Sequence, residues 1–306
     1  MIIPVRRAVT LLELVVAILV IAVLIGLTLG AIQRVRTAAL QTQSTNNLRQ
    51  ISLGLHSFYS ANADKISKLP TSAPNVRSFT GASLFSQILN FTAPNARVPI
   101  KEPWTREASD VYNDPYIAVY LSPADPSFAA NIGAGPTRRK ISYSYNLIPF
   151  DGSMTFPFTI QDGTSSTLAF AERYWYTSHS YTINEREHRI HCSIDWDELL
   201  AEPGFTAPRR ATFADKVLRD VYPVSNGRGQ STGSDLVQYV PLPAGIPFAV
   251  RPPVHDSWCD RLQTPHPAGL PVAMFDGSVR TLHPNIAEHV FWGLVTPAGG
   301  EVLGDY

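Results

Sequence analysis

Glu13 is the only carboxylate in the apolar run of "RRAVTLLELVVAILVIAVLIGLTLGAIQRVR", residues 6–36. From Leu14 to Leu27 no side chain is charged or strongly polar. An acid at the edge of such a run costs roughly 3 kcal/mol in lipid. It therefore needs a partner or a task. A second reactive set lies in "EREHRIHCSIDWDELLAEPG", residues 185–204. His188 and His191 are three apart, with Asp195, Asp197 and Glu198 following. On a helix, histidines at i and i+3 can share a metal ion. Such a set would suit an anchored metal-dependent hydrolase. The same stretch also alternates like a strand, which would turn His188 and His191 to opposite faces and prevent their convergence. No His-Glu-x-x-His, P-loop or G-x-G-x-x-G spacing occurs. Composition leaves a Ser–His–Asp triad open, but no G-x-S-x-G elbow is present. Asp256, Asp260 and Asp276 offer oxygen ligands for calcium without EF-hand spacing. No enzymatic activity and no resident cofactor are expected, and calcium is the one ligand left open.

The elements that would carry these groups follow from patterning. Beyond the apolar run, Leu48, Ile51, Leu55 and Phe58 recur at helical spacing, among polar residues such as Arg49 and Gln50. The pattern predicts one helix from about Thr10 to about Tyr59, its first half for lipid or a filament core and its second packed on a globular domain. Gly26 and Gly30 would weaken this helix in water by about 1 kcal/mol each, but in a membrane they permit close helix approach. From residue 61 onward, turn-rich stretches such as "PTSAPN", "SPADPS" and "GAGPTRR" separate short apolar segments. Residues 116–122, 140–146, 167–173 and 272–282 read as strands, and 83–90 as a short helix. Asp276-Gly277 between apolar residues predicts a type I′ hairpin turn. Asp162-Gly163 reads as another turn. The expected fold is α+β: a long N-terminal helix, its first half transmembrane, packed on a largely antiparallel sheet.

The chain has 306 residues, 44% of them hydrophobic, and a formal net charge of 0. That balance supplies no field to attract nucleic acid, and "PTRRK" (136–140) is only a short charged loop. No nucleic-acid partner is expected. The two cysteines, Cys192 and Cys259, form either one bridge outside the cytoplasm or two thiols.

Three readings compete for the N-terminus: a secretory signal, a plain transmembrane anchor, and a segment cut ahead of its apolar run. The residues carry a resemblance to the third. "RRAVTLLELVVAILVIAVLIG" resembles the N-terminus of a type IV prepilin or pseudopilin, with Ala8 as the last leader residue where Gly is usual, Val9 as the first mature residue, then Thr10, Leu11, Leu12 and Glu13. The resemblance implies removal of residues 1–8 by an inner-membrane prepilin peptidase and N-methylation of Val9. It also implies that Glu13 pairs with the new amine of a neighbouring subunit, an unpaired buried charge being expensive. It divides the chain into a leader (1–8), a hydrophobic and amphipathic helix (9–60) and a β-rich domain (61–306). The implied place is the inner membrane, single-pass, with the C-terminal domain periplasmic, or an extracellular filament. The implied partners are the peptidase, other pilin-like subunits and the membrane.

A second resemblance runs through "YLSPADPSF", "ISYSYN", "QDGTSSTLAFAERYW" and "PHPAGLPVAMFDGSVRTL". Together these are similar to a planctomycete-type family of pilin-like proteins with a C-terminal H-X9-DG signature of unknown function. Here the signature is His266, nine residues, then Asp276 and Gly277. Ser122 stands where that family usually has Cys. Cys259 stands where the family often has one, which leaves Cys192 as its available mate.

Overall fold

A computed structural model describes residues 11–62, 84–95, 117–128, 140–146, 148–150, 160–183, 186–195, 208–210, 212–213, 248–257 and 261–300. The chain forms two compact units, Met1–Thr42 and Gln43–Tyr306. Helix α1, Leu11–Asn62, belongs to both. It contains no proline, and Thr28, Thr37 and Thr42 fold their hydroxyls back onto the carbonyls of Ile25, Gln33 and Ala38. That disposes of three polar groups without breaking the helix. In the first unit the large apolar side chains from Leu11 to Val35 are exposed. The helix is long and apolar enough to cross a membrane, and none of that apolar window is buried.

In the second unit α1 carries the expected stripe: Leu48, Ile51 and Leu55 are buried and Phe58 packs beside them. Helix α2, Leu84–Thr92, crosses α1 closely at Gly54, where an added Cβ would run into the Thr92 side chain. Phe58 and Phe91 meet edge to face at 5.8 Å. The main sheet has the order β10-β9-β2-β1-β6. Its strands are β1 (Tyr143–Asn146), β2 (Leu168–Glu172), β6 (Thr212–Phe213), β9 (Leu270–Met274) and β10 (Val279–Leu282). All pairs are antiparallel except β1 with β6. Alternation along β9 sends Leu270, Val272 and Met274 to one face and Ala273 to the other. The first face is covered by helix α3, Glu288–Val295, through Phe291, Leu294 and Val295. The parallel pair β7 (Phe248–Val250) and β8 (Leu262–Thr264) shares that cluster. The second face packs on α1 and α2. A separate sheet has the order β3-β4-β5, from Tyr176–Ile183, Arg186–Asp195 and Pro208–Arg210.

Two expectations need correction. Residues 117–121 are not a strand. Ala118–Tyr120 forms a 3-10 turn, because neighbours take its polar groups: the Tyr120 carbonyl accepts from Ser142 N, and Tyr120 OH donates to the Phe85 carbonyl. The Asp276-Gly277 turn is not type I′. Only Gly277 has positive φ, at 85°. Gly277 N donates to Met274 O and Met274 N to Ser278 O, which makes a three-residue loop ending in a left-handed glycine. Phe275, buried in the core with its N–H on Thr167 O, supplies the extra residue.

Candidate functional site

Glu172 ends β2 with its side chain fully buried. A lone carboxylate there would be costly, and four side chains surround it. Ser44 Oγ on α1 donates to Glu172 Oε1 at 2.8 Å, and Ser122 Oγ donates to the same oxygen at 2.6 Å. Thr264 Oγ1, at the end of β8, donates to Oε2 at 2.8 Å. His266 Nε2 stands 3.3 Å from Oε1, an ion-pair distance when the imidazole is protonated. It lacks hydrogen-bond alignment with that oxygen. His266 is 1% exposed.

The network extends along α1. The Ser44 proton is committed to Glu172, so the Tyr143 hydroxyl, 3.1 Å away, donates to Ser44 Oγ. Asn47 Nδ2 donates to Tyr143 OH and to Leu121 O. Burial, and after it the Glu172 charge, raise the Tyr143 phenol above its ordinary value, keeping it neutral.

Asp125 is a second buried acid. Its Oδ1 accepts from Ser127 N and Ser127 Oγ, and its Oδ2 from Ser142 Oγ and Trp175 N. Burial pushes its carboxyl up to about 6 against these bonds, which pull the other way. Lys140 lies 3.9 Å from the centre of the Trp175 ring, a cation–π contact in a buried setting. Neither acid is open to solvent, and each joins segments far apart in the chain.

The expected site residues distribute as follows. Glu13 lies in the exposed first turn of α1. Ala8 and Val9 lie outside the described residues, as do Cys259, Asp260, Asp197 and Glu198. Cys192 is on β4 opposite Thr177, and its pairing with Cys259 falls outside the described residues. On the same strand, His188 pairs with Tyr181 and His191 with Ser178. Asp256 closes a 3-10 turn, Val254–Asp256. Asp276 is exposed and accepts Ser278 N at its own turn. Among the described residues no three His, Cys, Asp or Glu side chains converge as metal ligands. Asp162 accepts Gly299 N at 2.7 Å and Gly300 N at 2.9 Å, tying down the C-terminal loop. His266, by contrast, is brought together with Glu172, Ser44, Ser122 and Thr264, four residues to which sequence reasoning assigned no site role. One local signal was readable: Asp125 precedes Pro126 and Ser127, an Asx-turn pattern.

A family model described as a protein of unknown function (DUF1559) matches residues 33–289. No curated protein and no solved structure matches the chain.

Proposed function

The chain belongs to the DUF1559 family of proteins of unknown function, and on that premise we propose that it is a structural subunit of a type IV pilus- or type II secretion-like filament. It is cut after Ala8 by a prepilin peptidase, methylated at Val9 and assembled through its N-terminal helix. Before assembly it is a single-pass inner-membrane protein with its C-terminal domain outside the cytoplasm. Glu13 neutralises the amine of an adjacent subunit. The reading includes no catalysis, no nucleic acid and no resident cofactor.

One observation carries it. A single proline-free helix, Leu11–Asn62, exposes large apolar side chains along its first unit and turns polar and apolar residues inward in its second. Apolar surface of that extent needs lipid or other helices to cover it. The test is intact-mass and N-terminal analysis of protein from native membranes, with Glu13→Ala beside it. A methylated Val9 start, and loss of filament incorporation with membrane insertion retained, are the expected results. A chain still carrying residues 1–8, or Glu13→Ala filaments formed at the normal level, would overturn the reading and leave a membrane-anchored module that does not polymerise.

A further inference from the structure

We infer that the H-X9-DG motif is a two-point clasp that sets the axial register of α1 on the sheet. The inference stands apart from the filament reading, because it concerns contacts within one chain. The first point is His266. It faces Glu172 Oε1, and that oxygen accepts the Ser44 hydroxyl of α1. A tight turn holds His266 in place: Gly269 N donates to His266 O, and His266 N donates to Thr264 Oγ1. Gly269 sits at φ 130°, and a side chain there would run into the Leu282 carbonyl.

The second point is the Asp276-Gly277 turn. The atoms nearest to a Cβ built on Gly277 are Ser52 Oγ at 3.7 Å and His56 Nε2 at 3.8 Å, both on α1. Ser52 is fully buried, and its hydroxyl has no hydrogen-bond partner. The turn therefore closes over α1 about two to three helical turns beyond Ser44.

The nine intervening residues fit this task. They contain the rest of the turn and β9, whose five residues cover about 16 Å. From Ser44 to Ser52 and His56, α1 advances about 12–18 Å. Strand and helix segments of matched length thus meet at both ends, through Glu172 at the first and by close packing of the Gly277 backbone on Ser52 and His56 at the second. Between the ties β9 presents Ala273 to the α1 side, a side chain small enough for close approach. The motif reads as a ruler: histidine at one end, glycine in the left-handed region at the other, and a strand of fixed length between them.

The test is amide hydrogen exchange of the full chain in detergent micelles, read along residues 43–62. His266→Ala is expected to speed exchange about tenfold or more around Ser44–Leu48 and to leave residues 52–59 protected. Gly277→Val, which forces a β-branched residue to φ 85°, is expected to do the reverse. Should His266→Ala unfold the sheet, Ser44→Ala decides, since it removes one hydroxyl: exchange rising at least threefold at the first end supports the clasp. Unchanged exchange at the first end in Ser44→Ala, or loss of protection at the same end in the His266 and Gly277 variants, overturns it.

Discussion

The two parts of α1 obey opposite rules. In Leu11–Thr42 no residue is buried, and the large apolar side chains at the surface are Leu, Ile and Val. In Gln43–Asn62 the buried set is Ser44, Asn47, Leu48, Ile51, Ser52, Gly54 and Leu55, more than half of it polar or without a side chain. The first part exposes its large apolar side chains, and the second hides hydroxyls and an amide. The difference teaches what each surface is for. An all-round apolar helix accepts any apolar surroundings and specifies little about position. A helix that buries Ser44 and Asn47 must meet their partners at particular atoms, so its placement is determined by hydrogen bonds and only its adhesion by Leu48, Ile51 and Leu55.

The comparison can be broken most forcefully at Glu172. Glu172→Ala strands the hydroxyls of Ser44, Ser122 and Thr264 and leaves His266 buried opposite nothing. The expected loss is about 3–5 kcal/mol, visible as a lower thermal midpoint of the second unit in full-length protein. Next comes a matched pair. Leu48→Ala should cost about 2–5 kcal/mol as a core truncation, whereas Leu24→Ala, exposed within the chain, should leave the same midpoint unmoved. Equal effects of the two would erase the distinction.

Asp125 gives a pH test. Its carboxyl rises from 3.8 to about 6 in the folded chain. A folded value above the unfolded one means that protonation favours folding. This contribution is fully present below 3.8 and is lost as pH rises through about 6. It amounts to about 3 kcal/mol at most. The stability gap between wild type and Asp125→Asn should therefore widen as pH falls from 7 to 4 in urea titrations. A gap constant with pH would contradict the assignment. The smallest effect expected is Gly54→Ala, about 1–3 kcal/mol by overpacking against Thr92. It would be read as a lower urea midpoint, with α2 amides exchanging faster.

What was legible in sequence tracked period and punctuation. The Leu48–Phe58 stripe, the short helix near 84–92 and the strands around 143, 168 and 270–282 emerged at their predicted places, because local pattern and tertiary burial agree there. The segment 117–121 has the β-branched and aromatic look of a strand, yet its backbone bonds go to Ser142 and Asn47 instead of a ladder. Tertiary partners overrode propensity. The hairpin turn lies at Asp276-Gly277 as its residues predict, but core burial of Phe275 makes it a three-residue loop in place of type I′. The Glu172 site was not legible at all. Its donors come from positions 44, 122 and 264, and no local window contains more than one of them. Ser122, noted only as a departure from a Cys, turns out to make the shortest bond in the cluster.

The Ser44–Glu172 bond also settles a matter of manufacture. Were α1 displaced along its axis by one turn, about 5.4 Å, Ser44 would lose its acceptor and Asn47 its link to Tyr143, while most apolar contacts would find substitutes one row along. Greasy packing alone would tolerate that error, and the polar contacts penalise it. Within the second unit, then, residues 43–62 of α1 come to rest on the sheet at one axial setting, chosen by a few polar atoms and not by the larger apolar area.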